Sequence, residues 1–319
     1  MLLLITRQKL NQILRQQSPI VKAAFLEAFD RIREEATLRA VAEAIASGDV
    51  NEVMSVLAVG ELTFRPFDDA LRNAYGAAGA EAAAKVKMTF DARSPRSEAW
   101  FRSVTGGLIQ DLTDELRENI REGIARGATE GLNPRQTAEQ IRSGLGLTQQ
   151  QAEWVANARQ ELASADTMAG YLDRTKRDGR FDSAVTNAIK RGRDLSDDQI
   201  ERMVSAYERR LIGMRAETIA RTETLSAISQ GQFDAADQMI AEGRVDRNAI
   251  RYRWDATGDS RTRSSHAAME GQEVAHGEAF IAPSGARLRY PRDRSLGAPA
   301  SETINCRCWV DAVVSDGAI

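Results

Sequence analysis

The chain has little of the chemistry that usually announces a function. Its 319 residues hold only two cysteines and two histidines. A disulfide scaffold is therefore excluded, because two thiols cannot staple a chain of this length. The cysteines are Cys306 and Cys308, one residue apart. A bridge between them would close a small strained ring, so reduced thiols in a cytosolic setting are expected. An excess of one charge is missing too: Lys+Arg 43 against Asp+Glu 46 gives a formal net charge of -3. A general nucleic-acid binder would show a basic excess on one face. No window reaches the roughly 18 apolar residues of a membrane helix. The opening MLLLITRQKL turns polar too soon for a secretory core. No Walker loop, dinucleotide glycine fingerprint or HExxH is present. The expectation is a soluble protein made and assembled in the cytoplasm, with no membrane involved.

What the chain does have is helical periodicity. Leu10, Ile13 and Leu14, then Val21, Phe25, Phe29 and Ile32, recur at three- and four-residue spacing. Ser18-Pro19 is expected to split this pattern into two helices, with Ser as cap and Pro in the first turn. A helix rich in Ala and Gly is expected from Asp68 to about Phe90. Its small residues suit close packing and suit an exposed alanine helix equally well. Trp100, Val104, Leu108, Leu112, Leu116, Ile120 and Ile124 form a core stripe with a constant four-residue step. Asn133-Pro134 reads as a helix start, and Thr148 to Gln151 and Ser196 to Gln199 fit capping boxes. The two helix starts at Leu147 and Leu195 look alike, which is a weak repeat signal. From Asp197 to about Glu242 the helix is nearly unbroken. Its stretch RAETIARTETLSAISQGQFDAA is polar enough for either a solvated face or a docking face.

After Gly243 the period changes to two. Arg251 to Trp254 and Cys306 to Val314 alternate, and Phe280-Ile281 and Leu288 to Tyr290 flank the turn Pro283-Ser284-Gly285. The predicted fold is a mainly α N-terminal region, a bundle or extended helices, followed by a small α+β C-terminal module. The expected segments are 1–130, an N-terminal helical docking region; 131–243, a central helical region; and 244–319, the module, packed on the helix around 215–242.

Both cysteines, both histidines and two of the four tryptophans lie between Arg251 and Asp311. Nine arginines there face eight acidic residues, so pairing with carboxylates is favoured over phosphate binding. A module with few apolar residues needs something to fix it. His266, Cys306 and Cys308 offer one imidazole and two thiolates, the ligands zinc takes in structural tetrahedral sites. His276 or Asp259 would be the fourth. CxC is a tighter bite than the usual CxxC. The alternative is a hydrogen-bonded network in which the cysteines are small buried residues. A Cys-His nucleophile drawn from the same residues has no accompanying oxyanion-hole signal. The zinc deaminase pattern fails, because Ala267-Ala268 follow His266 and the cysteines are misspaced.

These residues also carry a resemblance. In order they read IARTET (Ile219 to Thr224), Trp254, Ala256, Asp259, Arg261 to Arg263, His266, Gly271, Phe280, Pro291, Asp293, Glu302 and INCRC (Ile304 to Cys308). The order and spacing resemble the C-terminal domain of the phage Mu protein F-like, or minor head morphogenesis, family. Arg221, Glu223, Trp254, Asp259, Arg261, Arg263 and Asn305 would then be structural motif residues. The chain departs from the family pattern at Arg292, where a small residue is common. The resemblance implies a low-copy virion component at the portal or inner capsid wall, oligomeric in the virion. Its partners would be portal, major capsid or scaffold protein, with packaged DNA nearby. It also leaves room for ejection with the DNA. Two other readings follow: an enzyme delivered with the DNA, Cys/His-based or a metal-dependent hydrolase, and an internal DNA-binding protein.

Overall fold

The computed structural model describes residues 2–315, so the ends of the 1–130 and 244–319 segments lie outside it. The helices in chain order are α1 (Arg7–Glu35), α2 (Leu38–Ser47), α3 (Val50–Val56), α4 (Arg65–Ala83), α5 (Pro95–Trp100), α6 (Gly106–Thr129), α7 (Pro134–Ser143), α8 (Gln149–Leu162), α9 (Met168–Asp173), α10 (Asp182–Arg191), α11 (Asp197–Ala241), α12 (Ser264–Ala267) and α13 (Ala300–Thr303). The strands are β1 (Leu2–Leu3), β2 (Ile250–Asp255), β3 (Glu273–Ala275), β4 (Phe280–Ile281), β5 (Arg287–Leu288) and β6 (Trp309–Val314). The predicted class, long helices followed by a small α+β region, is the observed one. Among the described residues no helix is long and apolar enough to cross a membrane.

The chain forms two compact units, neither of them one contiguous stretch. The first comprises 1–25, 64–108 and 217–319; the second comprises 26–63 and 109–216. Within the first, an antiparallel sheet has the strand order β1-β6-β2-β3. Its axis is the β2–β6 pair, with Ile250 opposite Val314 and Asp255 opposite Trp309. Strand β2 alternates as its sequence requires, with Ile250, Tyr252 and Trp254 buried and Arg251 and Arg253 exposed. The edge strand β1 comes from the far end of the chain, where only helix was expected: Leu2 and Leu3 pair with Val314 and Val313. A second ribbon, β4–β5, closes over the Pro283-Ser284-Gly285 turn.

The C-terminal part of α11 runs through this unit with every residue from Thr222 to Ala236 buried. It is therefore a docking face, not a solvated one. Pro19 does not split α1, contrary to expectation. Leu10 and Ile13 before it and Val21 and Phe25 after it are all buried on one stripe. Packing that whole stripe outweighs the roughly 3 kcal/mol a proline costs inside a helix. Helix α4 ends at Ala83, earlier than expected, and its small residues are packed rather than exposed: Ala70, Ala74, Ala78, Gly79 and Ala82 are buried. Of the expected core stripe, Trp100, Leu112, Leu116 and Ile120 are buried while Val104, Leu108 and Ile124 are half-buried; Phe101–Thr105 form a π-helical segment between α5 and α6.

In the second unit, α8, α9, α10 and the first half of α11 enclose one core that includes Val155, Leu162, Tyr171, Val185, Val204 and Leu211. Two predicted helix starts carry full capping boxes. Asn133 and Gln136 open α7 with one, and Thr148 and Gln151 open α8 with another. At α11, Ser196 and Gln199 exchange the same bonds. Glu208, on α11, is buried with the Ser143 hydroxyl donating to it at 3.0 Å. Burial pushes its carboxyl up to about 7, opposed by the Ser143 bond and by Arg159.

Packing around α11 leaves no room for a side chain at one of its glycines. A Cβ at Gly231 would lie 2.3 Å from the Tyr75 carbonyl oxygen, whereas one at Gly213 in the same helix meets nothing within 4 Å. Gly231→Ala should therefore lower unfolding stability by about 1–3 kcal/mol or more. Gly213→Ala should be neutral, or stabilising by up to about 1 kcal/mol. Equal effects in urea titrations would contradict the close helix crossing.

The buried Glu208 carboxyl makes stability depend on pH. The folded state holds a proton that the unfolded chain releases above about pH 4.3. Stability therefore falls as pH rises from there to about 7 and is level beyond. Glu208→Gln should flatten that slope. It should also add up to about 3 kcal/mol at pH 8, at roughly 1.4 kcal/mol for each pH unit the fall spans. Melts across this pH range provide the check.

Candidate metal centre

Three short segments of the first unit converge on one buried point. Strand β2 aims Trp254 inward, and the ring stands edge-on to both His266 and Phe280 at 5.3 Å. Beyond β2, Asp259 folds a turn by accepting the Arg261 backbone N–H at 3.0 Å. The turn delivers α12, which carries His266. On the returning segment Asn305 takes a left-handed φ of 56°, and its N–H donates to the Thr222 hydroxyl of α11 at 3.1 Å. That bond sets the start of the Cys306-Arg307-Cys308 run. Arg307 then binds the Asp259 carboxylate through both guanidinium nitrogens, each at 2.5 Å. Its bidentate hydrogen bonding holds that carboxyl well below the usual range. Arg263 adds a bond to the Ile304 carbonyl.

The result is that His266, Cys306 and Cys308 come together. His266 Nδ1 lies 3.4 Å from Cys306 Sγ and 3.5 Å from Cys308 Sγ, and all three donor atoms lie within 4.8 Å of one another. The three residues are 1%, 1% and 3% exposed. These groups could hold a metal ion. Tetrahedral zinc with ordinary Zn–N and Zn–S bonds puts nitrogen and sulfur about 3.6 Å apart, so the observed spacing needs almost no adjustment. The donor set is also of the right softness, with two sulfurs and an imidazole.

Electrostatics prepare the sulfurs. Cys306 is held well below the usual thiol range, first by the Cys308 thiol bonded to it and then by His266 and Arg292. Cys308 is pushed the other way, because a second thiolate beside the first is costly and burial adds to that cost; the Thr257 backbone N–H, bonded to its sulfur, opposes the rise. The pair thus loses one proton readily, and a bound cation would draw off the second. Arg292 is fully buried in a left-handed turn at φ 76°. Its guanidinium donates to the Cys306 carbonyl at 3.1 Å, the Cys308 carbonyl at 2.7 Å and the Ser229 hydroxyl at 3.3 Å. Arg292 is therefore the strut that fixes the CxC backbone.

Neither expected fourth ligand joins the cluster, because each has its own partners. His276 Nδ1 meets the Tyr252 hydroxyl at 2.8 Å, and its Nε2 lies 2.9 Å from Asp237. Asp259 is held by Arg307. Glu302, to which the sequence assigned no ligand role, lies on the far side of the ring from the sulfurs: its Oε2 is 2.9 Å from His266 Nε2. Ser265 and Ser284 donate to that carboxylate at 3.0 and 2.8 Å. A carboxylate behind a ligating imidazole fixes the ring so that its other nitrogen faces the metal. Of the remaining motif residues, Glu223 pairs with Arg294 at 2.8 Å. Arg221 pairs with Glu217, at 3.4 Å.

Comparison with known proteins agrees with the motif. Residues 179–311 match the family model described as Phage Mu protein F like protein. No curated protein and no solved structure matches the chain.

If Glu302 orients His266, Glu302→Gln should weaken zinc affinity about 10–100-fold. Competition against a chromophoric chelator measures this, and an unchanged affinity would remove Glu302 from the site.

Proposed function

We propose that this chain is a phage head morphogenesis protein, a low-copy virion component whose C-terminal module is a zinc-fastened interaction domain. The family match over residues 179–311 carries the assignment to head morphogenesis. Its finer content rests on how the motif residues are used. Trp254 fills the core, Asp259 and Arg307 pair, Arg263 holds the Ile304 carbonyl, Glu223 pairs with Arg294 and Asn305 caps onto Thr222. Such contacts build a fold. They support a structural role over a catalytic one. Zinc is the metal favoured by two sulfurs and an imidazole at tetrahedral spacing. In this reading the chain acts in the virion, at the portal vertex or inner capsid wall, after assembly in the host cytoplasm. Portal, major capsid or scaffold protein would be its partners.

One observation favours a second reading. A cysteine held low beside an imidazole is also how a thiol nucleophile is activated. A hydrolase delivered with the DNA would keep assembling into heads as His266→Ala while losing its activity. The structural reading expects that variant to fail in assembly.

The direct test is metal analysis of the purified chain together with sedimentation of phage heads. About one zinc per chain and co-sedimentation with heads are expected. A metal-free, folded chain would end the zinc assignment, and its absence from purified heads would end the virion assignment.

A further inference from the structure

Beside the metal-binding segment, the first unit carries a long groove of ≈ 620 Å³ between the first half of α1 and the middle of α11. Five basic residues line it, Arg7, Arg15, Lys22, Arg221 and Arg307, with Glu217 as the acid of the lining; Arg307 is held by Asp259 and Arg7 reaches Asp255 at 3.2 Å, which leaves Arg15, Lys22 and Arg221 to set the charge of the groove. The chain as a whole carries a net charge of -3, so this concentration of cations is a local feature. Lys22 and Arg221 share the one carboxylate of Glu217, at 2.9 and 3.4 Å. Arg15 is exposed. Arg7 and Arg221 keep 42% of their side chains in solvent. Ion pairs this exposed are worth little and exchange readily for an incoming carboxylate. Between the cations the half-buried Leu14 and the exposed Pro19 give an apolar strip over the buried Leu10 and Leu225, beside the polar Asn11, Ser18 and Thr257.

We propose that this groove docks an acidic amphipathic helix of a protein partner. Three features choose that occupant. The cations ask for carboxylates. Leu14 and Pro19 ask for an apolar stripe, which a phosphate backbone does not have. The α1 lining runs from Arg7 to Lys22, about 22 Å at 1.5 Å per residue, the length of a helix of about four turns. A helix laid in a groove with apolar anchors and flanking charges is a common recognition mode. The site deepens the reading of the chain as a docking component, and it stands or falls separately from the zinc and from head sedimentation.

The test uses the full chain and a synthetic 16-residue helical peptide with a leucine stripe flanked by glutamates, followed by fluorescence anisotropy. The same peptide with glutamine for glutamate and a 16-base-pair DNA duplex serve as comparisons. The acidic peptide should bind at low salt at least tenfold more tightly than the glutamine peptide and weaken as salt rises. Arg15→Glu should lose at least tenfold in affinity. Lys22→Gln, a milder change, should lose severalfold, and thermal melts confirm that both variants fold. Equal binding of the two peptides, no binding of the acidic one, or binding of the duplex in its place would overturn the proposal.

Discussion

A helix segment that is buried on every side and yet polar constrains the whole first unit. From Thr222 to Ala236, α11 has no face in water, and its side chains include Thr222, Glu223, Ser229, Gln230 and Asp234. A buried polar group without a partner costs about 1–3 kcal/mol, so other segments must bring partners to this helix. Asn305 comes to Thr222, Arg294 to Glu223 and Arg292 to Ser229. The Tyr290 hydroxyl donates to Gln230, and the Tyr75 hydroxyl donates to Asp234. Burial raises the carboxyls of Glu223 and Asp234 above their usual range. The opposing hydrogen bonds and cations are what keep charge tolerable there. Among the described residues the Thr224 hydroxyl and the Gln232 amide meet no hydrogen-bond partner, and nothing in the structure explains them.

The same helix sets the metal centre. Ser229 and Thr222 sit two turns apart on α11 and hold, through Arg292 and Asn305, the two ends of the CxC run. Arg292 is costly to bury, and burial pulls its guanidinium below the usual range. Two peptide carbonyls, a hydroxyl and the neighbouring thiols compensate. A cation fixed there also favours thiolate over thiol. One buried arginine thus both ties the CxC backbone to α11 and lies beside the sulfurs.

Much of this was legible in the sequence because it depends on local period and local chemistry. The alternation of Arg251 to Trp254, the capping residues at Thr148 and Ser196 and the soft donor set at His266, Cys306 and Cys308 need no long-range information to read. Other features depend on tertiary context. Pro19 passes through α1 because buried residues lie on both sides of it, and no local rule weighs that. Strand β1 is two residues that pair with the other end of the chain, too short to show a period. RTETLSAISQGQ reads equally as a solvated or a docking face until the groups that satisfy it are known. His276 was a reasonable ligand by type alone. Tyr252 and Asp237 claim it, and only the fold brings those two to its ring. Glu302 was visible in the motif, but its place behind His266 required α13 to be positioned.

The central claim is that the C-terminal module is built onto α11 and folds with it. Native-state hydrogen exchange, resolved along that helix, tests this most directly. The amides from Thr222 to Ala236 should exchange only with global unfolding, together with those of β2 and β6. If they exchange early, as a solvated helix would, while the strands stay protected, the helix is not the spine of the module and the claim fails.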